Sequence, residues 1–180
     1  MTANPTILVL PGYENSGPEH WQSRWEQETP AFQRVEQADW DNPLVGDWVE
    51  TLDKAVTDRP GPVVLVAHSL GCITVAHWAA SHPGREVRGA LLVAPADIDT
   101  ADVPELVNFR PIPLQPLPFP SIVVASSDDP WCSPARSRLL ADSWGSRFVD
   151  VGPYGHLNSA SGLGSWPEGR ALLAELTAGR

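Results

Sequence analysis

The chain has 180 residues, of which 42% are hydrophobic, and its 12 Lys and Arg against 22 Asp and Glu give a formal net charge of −10. This acidity repels phosphate backbones and anionic lipids, and no basic patch offsets it, so we expect binding of neither nucleic acid nor membranes. The apolar runs are too short to span a bilayer and the first residues lack the pattern of a signal peptide, which predicts one cytoplasmic domain over residues 1–180.

Short β-branched runs alternate with longer amphipathic stretches along the chain. Apolar runs without alternation are typical of parallel strands that are covered on both faces, so the pattern predicts an α/β fold with a three-layer α/β/α arrangement. The predicted strands are residues 6–10, 33–37, 63–67, 87–94, 121–125 and 147–151, and the predicted helices are residues 20–28, 44–57, 70–81, 134–144 and 168–177.

A proline-rich segment, residues 95–120, interrupts this alternation. Seven prolines remove backbone donors and fix φ, so we expect an extended loop with one short helix at most. A loop of this length is often functional, and the alternative is a rigid crossover packed over the sheet. Both interpretations stay open from the sequence.

Cysteine usage indicates no metal site. Cys72 and Cys132 have no CxxC spacing and no accompanying His/Cys cluster. We therefore expect neither a zinc site nor a disulfide framework.

A serine stands where a predicted strand meets a predicted helix, in the stretch VVLVAHSLGCITVAHWAA. Ala67 and Gly71 flank Ser69 at two positions on either side, which is the spacing of a nucleophile elbow with Ala replacing the first Gly. The start of the helix offers free N–H groups and partial positive charge for an oxyanion. The alternative is an ordinary serine N-cap, and the partners of Ser69 must decide between the two.

A serine hydroxyl needs a base, and only one of five histidines follows the last predicted strand. His156 lies in the glycine-rich loop GPYGHLNSASGLG, which fits the order Ser, acid, His of enzymes built on this elbow. His68 is expected to point away from the Ser69 side chain, and His77 and His82 to be packed or solvated. The sequence predicts His156 as the base, and a surface loop histidine is the alternative.

The acid is expected after a strand that lies between Ser69 and His156. The stretch SIVVASSDDPWCSP supplies Asp128 and Asp129 directly after a predicted strand. The turn D-P-W-C-S resembles the turn after the acid-bearing strand of hydrolases, which favours Asp129. Asp128 would then be a solvated turn residue or an Asx cap.

The remaining predicted site residues lie beside these motifs. The backbone N–H groups of Leu70 and Tyr13 are the expected oxyanion donors, and Gly12 lets the backbone approach closely, although Pro11-Gly12 could also be a plain turn. The predicted substrate-binding residues are Gly12, Tyr13, His20, Trp21 and Trp131, with Trp166 as a further candidate. For each aromatic residue among them, packing in the core is the alternative.

The motifs together resemble those of a known family. The segments LPGYENSGPEHWQSRWE, QADWDNP, VAHSLGCITVAHWA, SSDDPW and GHLNSASGLGSWPEG are similar to those of the small α/β-hydrolase-fold serine hydrolases related to retinoblastoma-binding serine hydrolase, especially their bacterial members. The resemblance implies a six-stranded parallel sheet in the order 2-1-3-4-5-6 and a compact fold without a lid. It also implies a triad of Ser69, Asp129 and His156.

These residues predict a serine hydrolase that acts on an acyl ester or amide through an acyl-enzyme. A non-catalytic protein-binding module on a hydrolase scaffold and an acyltransferase with the same triad are the alternatives. This mechanism requires no metal and no organic cofactor, and the expected partner is a small acyl substrate. A protein partner is without support in the sequence, and the oligomeric state is not predicted.

Overall fold

Six parallel strands form one sheet in the computed structural model, which describes residues 4–178. The sheet order is β2-β1-β3-β4-β5-β6, which confirms the order implied by the family resemblance, and every adjacent pair is parallel. The strands are β1 (Thr6–Leu10), β2 (Phe32–Arg34), β3 (Val63–His68), β4 (Gly89–Val93), β5 (Ser121–Ala125) and β6 (Arg147–Asp150).

Helices cover both faces of this sheet, as the sequence predicts. Successive side chains of a strand point to opposite faces, so Leu65 and Ala67 of β3 join one core and Val64 and Val66 join the other. The first core is closed by α2, α3 and α4, and the second by α1 and α5. The helices are α1 (Trp21–Glu28), α2 (Val45–Thr57), α3 (Leu70–Ser81), α4 (Pro134–Trp144) and α5 (Pro167–Thr177).

Several predicted elements differ from the observed ones at their ends. The strand predicted at 87–94 is the shorter β4, because its ladder with β3 runs only from the Val64–Gly89 pair to the His68–Val93 pair. His20 is the N-cap of α1 and not its first residue, since its Nδ1 accepts a hydrogen bond from the Gln22 amide. The extent of a ladder and the choice of a cap depend on partners that a run of residues does not reveal.

The proline-rich segment 95–120 both packs and lines a cleft. A short 3₁₀ helix, Pro104–Phe109, interrupts it, and its buried Leu106 and Phe109 join the core under α2 and α3. Leu106 and Ala96 also line the cleft beside Ser69. The segment is therefore a packed crossover, which is one of the two interpretations that the sequence left open, and a functional role for it stays a prediction.

Among the helices of residues 4–178, none is long and apolar enough to cross a bilayer.

Candidate active site

The turn between β3 and α3 holds Ser69 in a strained backbone conformation. Its φ of 56° and ψ of −120° lie in a region that non-glycine residues rarely adopt. The Ser69 side chain makes no capping hydrogen bond to α3, so it is not the ordinary N-cap that the sequence left open. The turn frees the hydroxyl for another partner, which is the purpose of a nucleophile elbow.

Close backbone packing explains why small residues flank this turn. A Cβ at Gly71 would collide with the Leu10 carbonyl oxygen and lie 3.0 Å from that of Pro11. A Cβ at Gly12 would lie 2.9 Å from the Ser69 Cβ and 3.1 Å from the Leu70 nitrogen. The end of β1 and the elbow are therefore pressed together, and neither glycine can carry a side chain without backbone movement.

We expect Gly71→Ala to lower the free energy of unfolding by about 1–3 kcal/mol, because the added methyl group must displace the backbone of β1. The matched control is Gly46→Ala in α2, where a Cβ meets nothing within 4 Å. In the control the alanine stabilises the helix by about 0.5–1 kcal/mol. Urea denaturation measures both, and equal stability of Gly71→Ala and the wild type would contradict the packing argument.

The structure brings together the three side chains predicted as a triad. The Ser69 hydroxyl lies 2.8 Å from His156 Nε2, and His156 Nδ1 lies 2.9 and 3.0 Å from the two Asp129 carboxylate oxygens. All three residues are at most 9% exposed. Ser69 follows β3, Asp129 follows β5 and His156 follows β6, so the carboxyl edge of the parallel sheet assembles them.

The two neighbouring aspartates have different roles. Asp129 faces His156, and its Oδ1 also accepts a hydrogen bond of 2.8 Å from the Trp131 amide. Asp128 lies exposed in the turn after β5, which confirms the solvated turn residue that the sequence predicts. Its Oδ1 accepts from the Gly155 amide at 2.7 Å and from the Ser126 hydroxyl at 2.9 Å, and these two bonds hold its pKa below the usual value. Asp128 thus ties the loop after β5 to the histidine loop.

Two buried side chains hold the backbone of the histidine loop from the other side. His68 Nε2 donates to the His156 carbonyl oxygen at 2.8 Å, and Trp21 Nε1 donates to the Leu157 carbonyl oxygen at 2.8 Å. Leu157 has a φ of 49°, a conformation that needs such support. His156 is therefore fixed by groups from β3, α1 and the loop after β5.

His68 is a site residue that the sequence reasoning missed. It was expected only to point away from Ser69, whereas it lines the cleft and contacts the His156 backbone. Burial, and secondarily the neighbouring His20 and His156, lower its pKa well below the usual value, so the ring is neutral. Strand alternation was the available signal, since it places His68 on the same face as Val66, towards α1.

The predicted oxyanion donors lie where the end of β1 comes closest to the elbow. Within residues 4–178 neither the Leu70 amide nor the Tyr13 amide has a hydrogen-bond partner. Gly12 brings the chain before Tyr13 against Ser69 and Leu70. Both predicted donors thus lie next to the elbow, each with an N–H group that has no partner within the described residues, and their role as an oxyanion hole stays a prediction.

A cleft of about 390 Å³ opens over Ser69. Tyr13, His20 and Trp131 line it, as predicted. Trp21 does not: it is 1% exposed and packs between Trp25 and Trp166 in the core beneath. The cleft lining that the sequence did not predict is Glu14, Asn15, Gly17, His68, Ala96, Leu106, Asn158, Ser159 and Ala160.

Two further predictions about the cleft need correction. Gly12 does not line it and packs instead against the backbone of the elbow, at Ser69 and Leu70. Trp166 is 3% exposed and packs in the core with Trp25. Large aromatic side chains are mostly buried, so the sequence alone could not tell an aromatic residue that lines the cleft from one that packs in the core.

In the described part of the chain, no group of three or more His, Cys, Asp or Glu is arranged to hold a metal ion.

The chain has the fold of an α/β-hydrolase-type protein, as shown by the order of its sheet, the elbow after β3 and the cleft at the carboxyl edge of the strands. The chain belongs to the serine hydrolase family, whose family model matches residues 7–175. It is 33% identical to a putative YdeN-like hydrolase from Pectobacterium atrosepticum, with a TM-score of 0.87 over 97% of this chain and 91% of that one.

More distant structures share the fold alone. The ydeN gene product of Bacillus subtilis is 20% identical, with a TM-score of 0.75 over 97% of this chain and 99% of that one. The type II thioesterase BorB from the borrelidin biosynthetic cluster is 17% identical, with a TM-score of 0.63 over 98% and 94%. No curated protein matches the sequence. The likeness to retinoblastoma-binding serine hydrolase stays a prediction.

Proposed function

We propose that the protein hydrolyses carboxylic esters through an acyl-enzyme formed on Ser69, with His156 as general base and acid and Asp129 as its orienting carboxylate. The observation that carries the proposal is the position of His156, which hydrogen-bonds Ser69 through Nε2 and Asp129 through Nδ1. This is the arrangement that activates a serine hydroxyl in unrelated hydrolases. A thioesterase among the structural neighbours supports acyl chemistry on a related fold.

The first half of the reaction forms the acyl-enzyme. The Ser69 oxygen attacks the acyl carbonyl carbon while its proton passes to His156 Nε2. The carbonyl oxygen becomes an oxyanion held by the Leu70 and Tyr13 amides, each worth about 3 kcal/mol of transition-state stabilisation. The bond to the alcohol oxygen then breaks, and His156 gives its proton to the departing alcohol.

The second half regenerates the enzyme. A water molecule loses a proton to His156 Nε2 and attacks the acyl carbonyl carbon. The bond to Ser69 breaks, the proton returns to the Ser69 oxygen, and the carboxylic acid leaves. Asp129 orients the imidazole ring and stabilises the imidazolium that forms in each half.

Trapping the intermediate tests this mechanism. With p-nitrophenyl acetate, we expect a burst of p-nitrophenol equal to the enzyme concentration when deacylation is slower than acylation, because one acyl group is transferred to each site. In acid-quenched protein the mass of one acetyl group should lie on the peptide that contains Ser69. Turnover with the acetyl group on a different residue would overturn the assignment.

A further inference from the structure

The cleft over Ser69 has two chemically different walls. One wall combines the β1–α1 loop with the histidine loop, which are joined by the bond from Trp21 Nε1 to the Leu157 carbonyl. It carries Asn15, His20 and Asn158. The other wall consists of Ala96, Leu106 and Trp131, and the Asp97 amide donates to the Trp131 carbonyl oxygen at 2.9 Å. We call these the polar wall and the apolar wall.

The two asparagines of the polar wall have defined orientations. Asn15 Oδ1 accepts from the Ser16 amide at 2.8 Å and from Arg34 at 2.9 Å, and Asn158 Oδ1 accepts from the Ala160 amide at 3.1 Å. Since each carboxamide oxygen is occupied, the assignment of the amide groups is fixed. Within residues 4–178 neither Nδ2 has a partner. Each asparagine therefore keeps an unused pair of N–H donors beside the cleft.

His20 adds a buried donor to the same wall. Its Nδ1 accepts from the Gln22 amide at 3.1 Å, so the neutral ring carries its proton on Nε2. Burial, and then the charge of Arg34, lower its pKa to about 3, which keeps the ring neutral. His20 is 3% exposed, and Nε2 has no hydrogen-bond partner among the described residues. A buried donor without an acceptor is unfavourable and gains from a ligand oxygen that reaches it.

Charge excludes one class of ligand. No Arg or Lys lines the cleft, its one acidic lining residue is Glu14, and the chain carries a net charge of −10. A phosphorylated or carboxylated alcohol would meet repulsion here without a cationic partner. The unused donors are all neutral, which suits neutral oxygen acceptors.

The chemistry of the proposed function decides which part of the substrate meets which wall. His156 must protonate the departing oxygen, so the alcohol part lies beside His156 and the residues that follow it in the histidine loop. Asn158 belongs to that stretch. The acyl group then lies towards Ala96 and Leu106, and a wall of only three side chains suits a short acyl chain.

We infer, on the basis of the function proposed above, that the preferred substrates are short-chain acyl esters of neutral polyhydroxylated alcohols such as sugars. Hydroxyl and ring oxygens of the alcohol accept hydrogen bonds from Asn15, Asn158 and His20, while the acyl group contacts the apolar wall. The polar wall is thus a specificity determinant for the leaving group.

Three acetate esters with the same acyl group test this inference. We expect kcat/KM for 6-O-acetylglucose to exceed that for hexyl acetate by at least about tenfold, since one neutral hydrogen bond is worth roughly fivefold. The ester 1-acetylglycerol 3-phosphate should be the slowest of the three. Release of acetate is measured for each ester, so no chromophore alters the leaving group.

Variants then assign the preference to the polar wall. Asn15→Asp and Asn158→Asp keep the oxygen that bonds the protein and replace the outward donor by an acceptor. Each should lower the ratio of kcat/KM for 6-O-acetylglucose to that for hexyl acetate by about fivefold or more. The charge control is Gln27→Glu, which adds a negative charge on the exposed face of α1, outside the cleft, and should leave the ratio unchanged.

Failure of this inference is distinguishable from failure of the proposed function. If a fluorophosphonate labels Ser69 but hexyl acetate is hydrolysed as fast as the sugar ester, the leaving-group preference is wrong and the hydrolase stands. An unchanged ratio in both asparagine variants would likewise overturn it. If Ser69 is not labelled and no ester releases acetate, the proposed function fails and this inference fails with it.

Discussion

Replacement of Ser69 by alanine should lower kcat for hydrolysis of p-nitrophenyl acetate by roughly 10⁴-fold or more and abolish labelling by a fluorophosphonate. The substitution removes one oxygen atom and leaves the strained turn and its packing in place. With no hydroxyl at 2.8 Å from His156 Nε2, neither an acyl-enzyme nor a phosphonylated enzyme can form. The measurements are steady-state kinetics and in-gel fluorescence of the labelled protein.

The matched control for this experiment is Ser165→Ala, an exposed serine that does not line the cleft. It should be labelled and should turn over ester at the wild-type rate. Circular dichroism and urea denaturation establish that both variants are folded. Full labelling of folded Ser69→Ala would place the nucleophile elsewhere and refute the proposed mechanism.

Replacement of Asp129 by asparagine should lower kcat by about 10⁴-fold with little change in KM. The reason lies in the second hydrogen bond of this carboxylate. Because Asp129 Oδ1 accepts from the Trp131 amide, an asparagine there keeps its oxygen on Trp131 and turns its NH₂ group towards His156 Nδ1. The imidazole is then held with its proton on Nε2, where it cannot accept the proton of Ser69.

The neighbouring carboxylate provides the comparison. Asp128→Asn retains an oxygen that can accept from Ser126 and Gly155, so we expect its kcat to fall by about tenfold at most. Steady-state kinetics of the two isosteric variants therefore separate the two aspartates. A larger loss for Asp128→Asn than for Asp129→Asn would reverse their assignment.

The features that could be predicted from the sequence are those that local patterns encode. The elbow is visible because a buried strand must stop at Ser69, and Gly71 must be small where it meets β1. The order of the sheet came from the resemblance, since parallel strands carry no sign of their neighbours. His156 could be chosen because only one histidine follows the last strand.

The features that could not be predicted depend on contacts between distant segments. Trp21 and Trp131 both lie beside motif residues, yet Trp131 lines the cleft and Trp21 supports the histidine loop from below. Asp128 is the exposed turn residue that the sequence predicts, but its bond from the Gly155 amide, which joins two loops, could not be predicted. Nothing in the local sequence specifies which of these partners a side chain will meet.

The way in which the histidine loop is held has a consequence for how this protein can diverge. The loop is fixed by Trp21, His68 and Asp128 from three separate segments, so a change in it would disturb the reaction itself. The segment that carries Leu106 is anchored elsewhere, through Asn108 to Val45 and through the Phe109 carbonyl to His77. If the function proposed above is correct, we therefore expect substitutions around Leu106 to change which acyl groups fit the cleft without displacing His156.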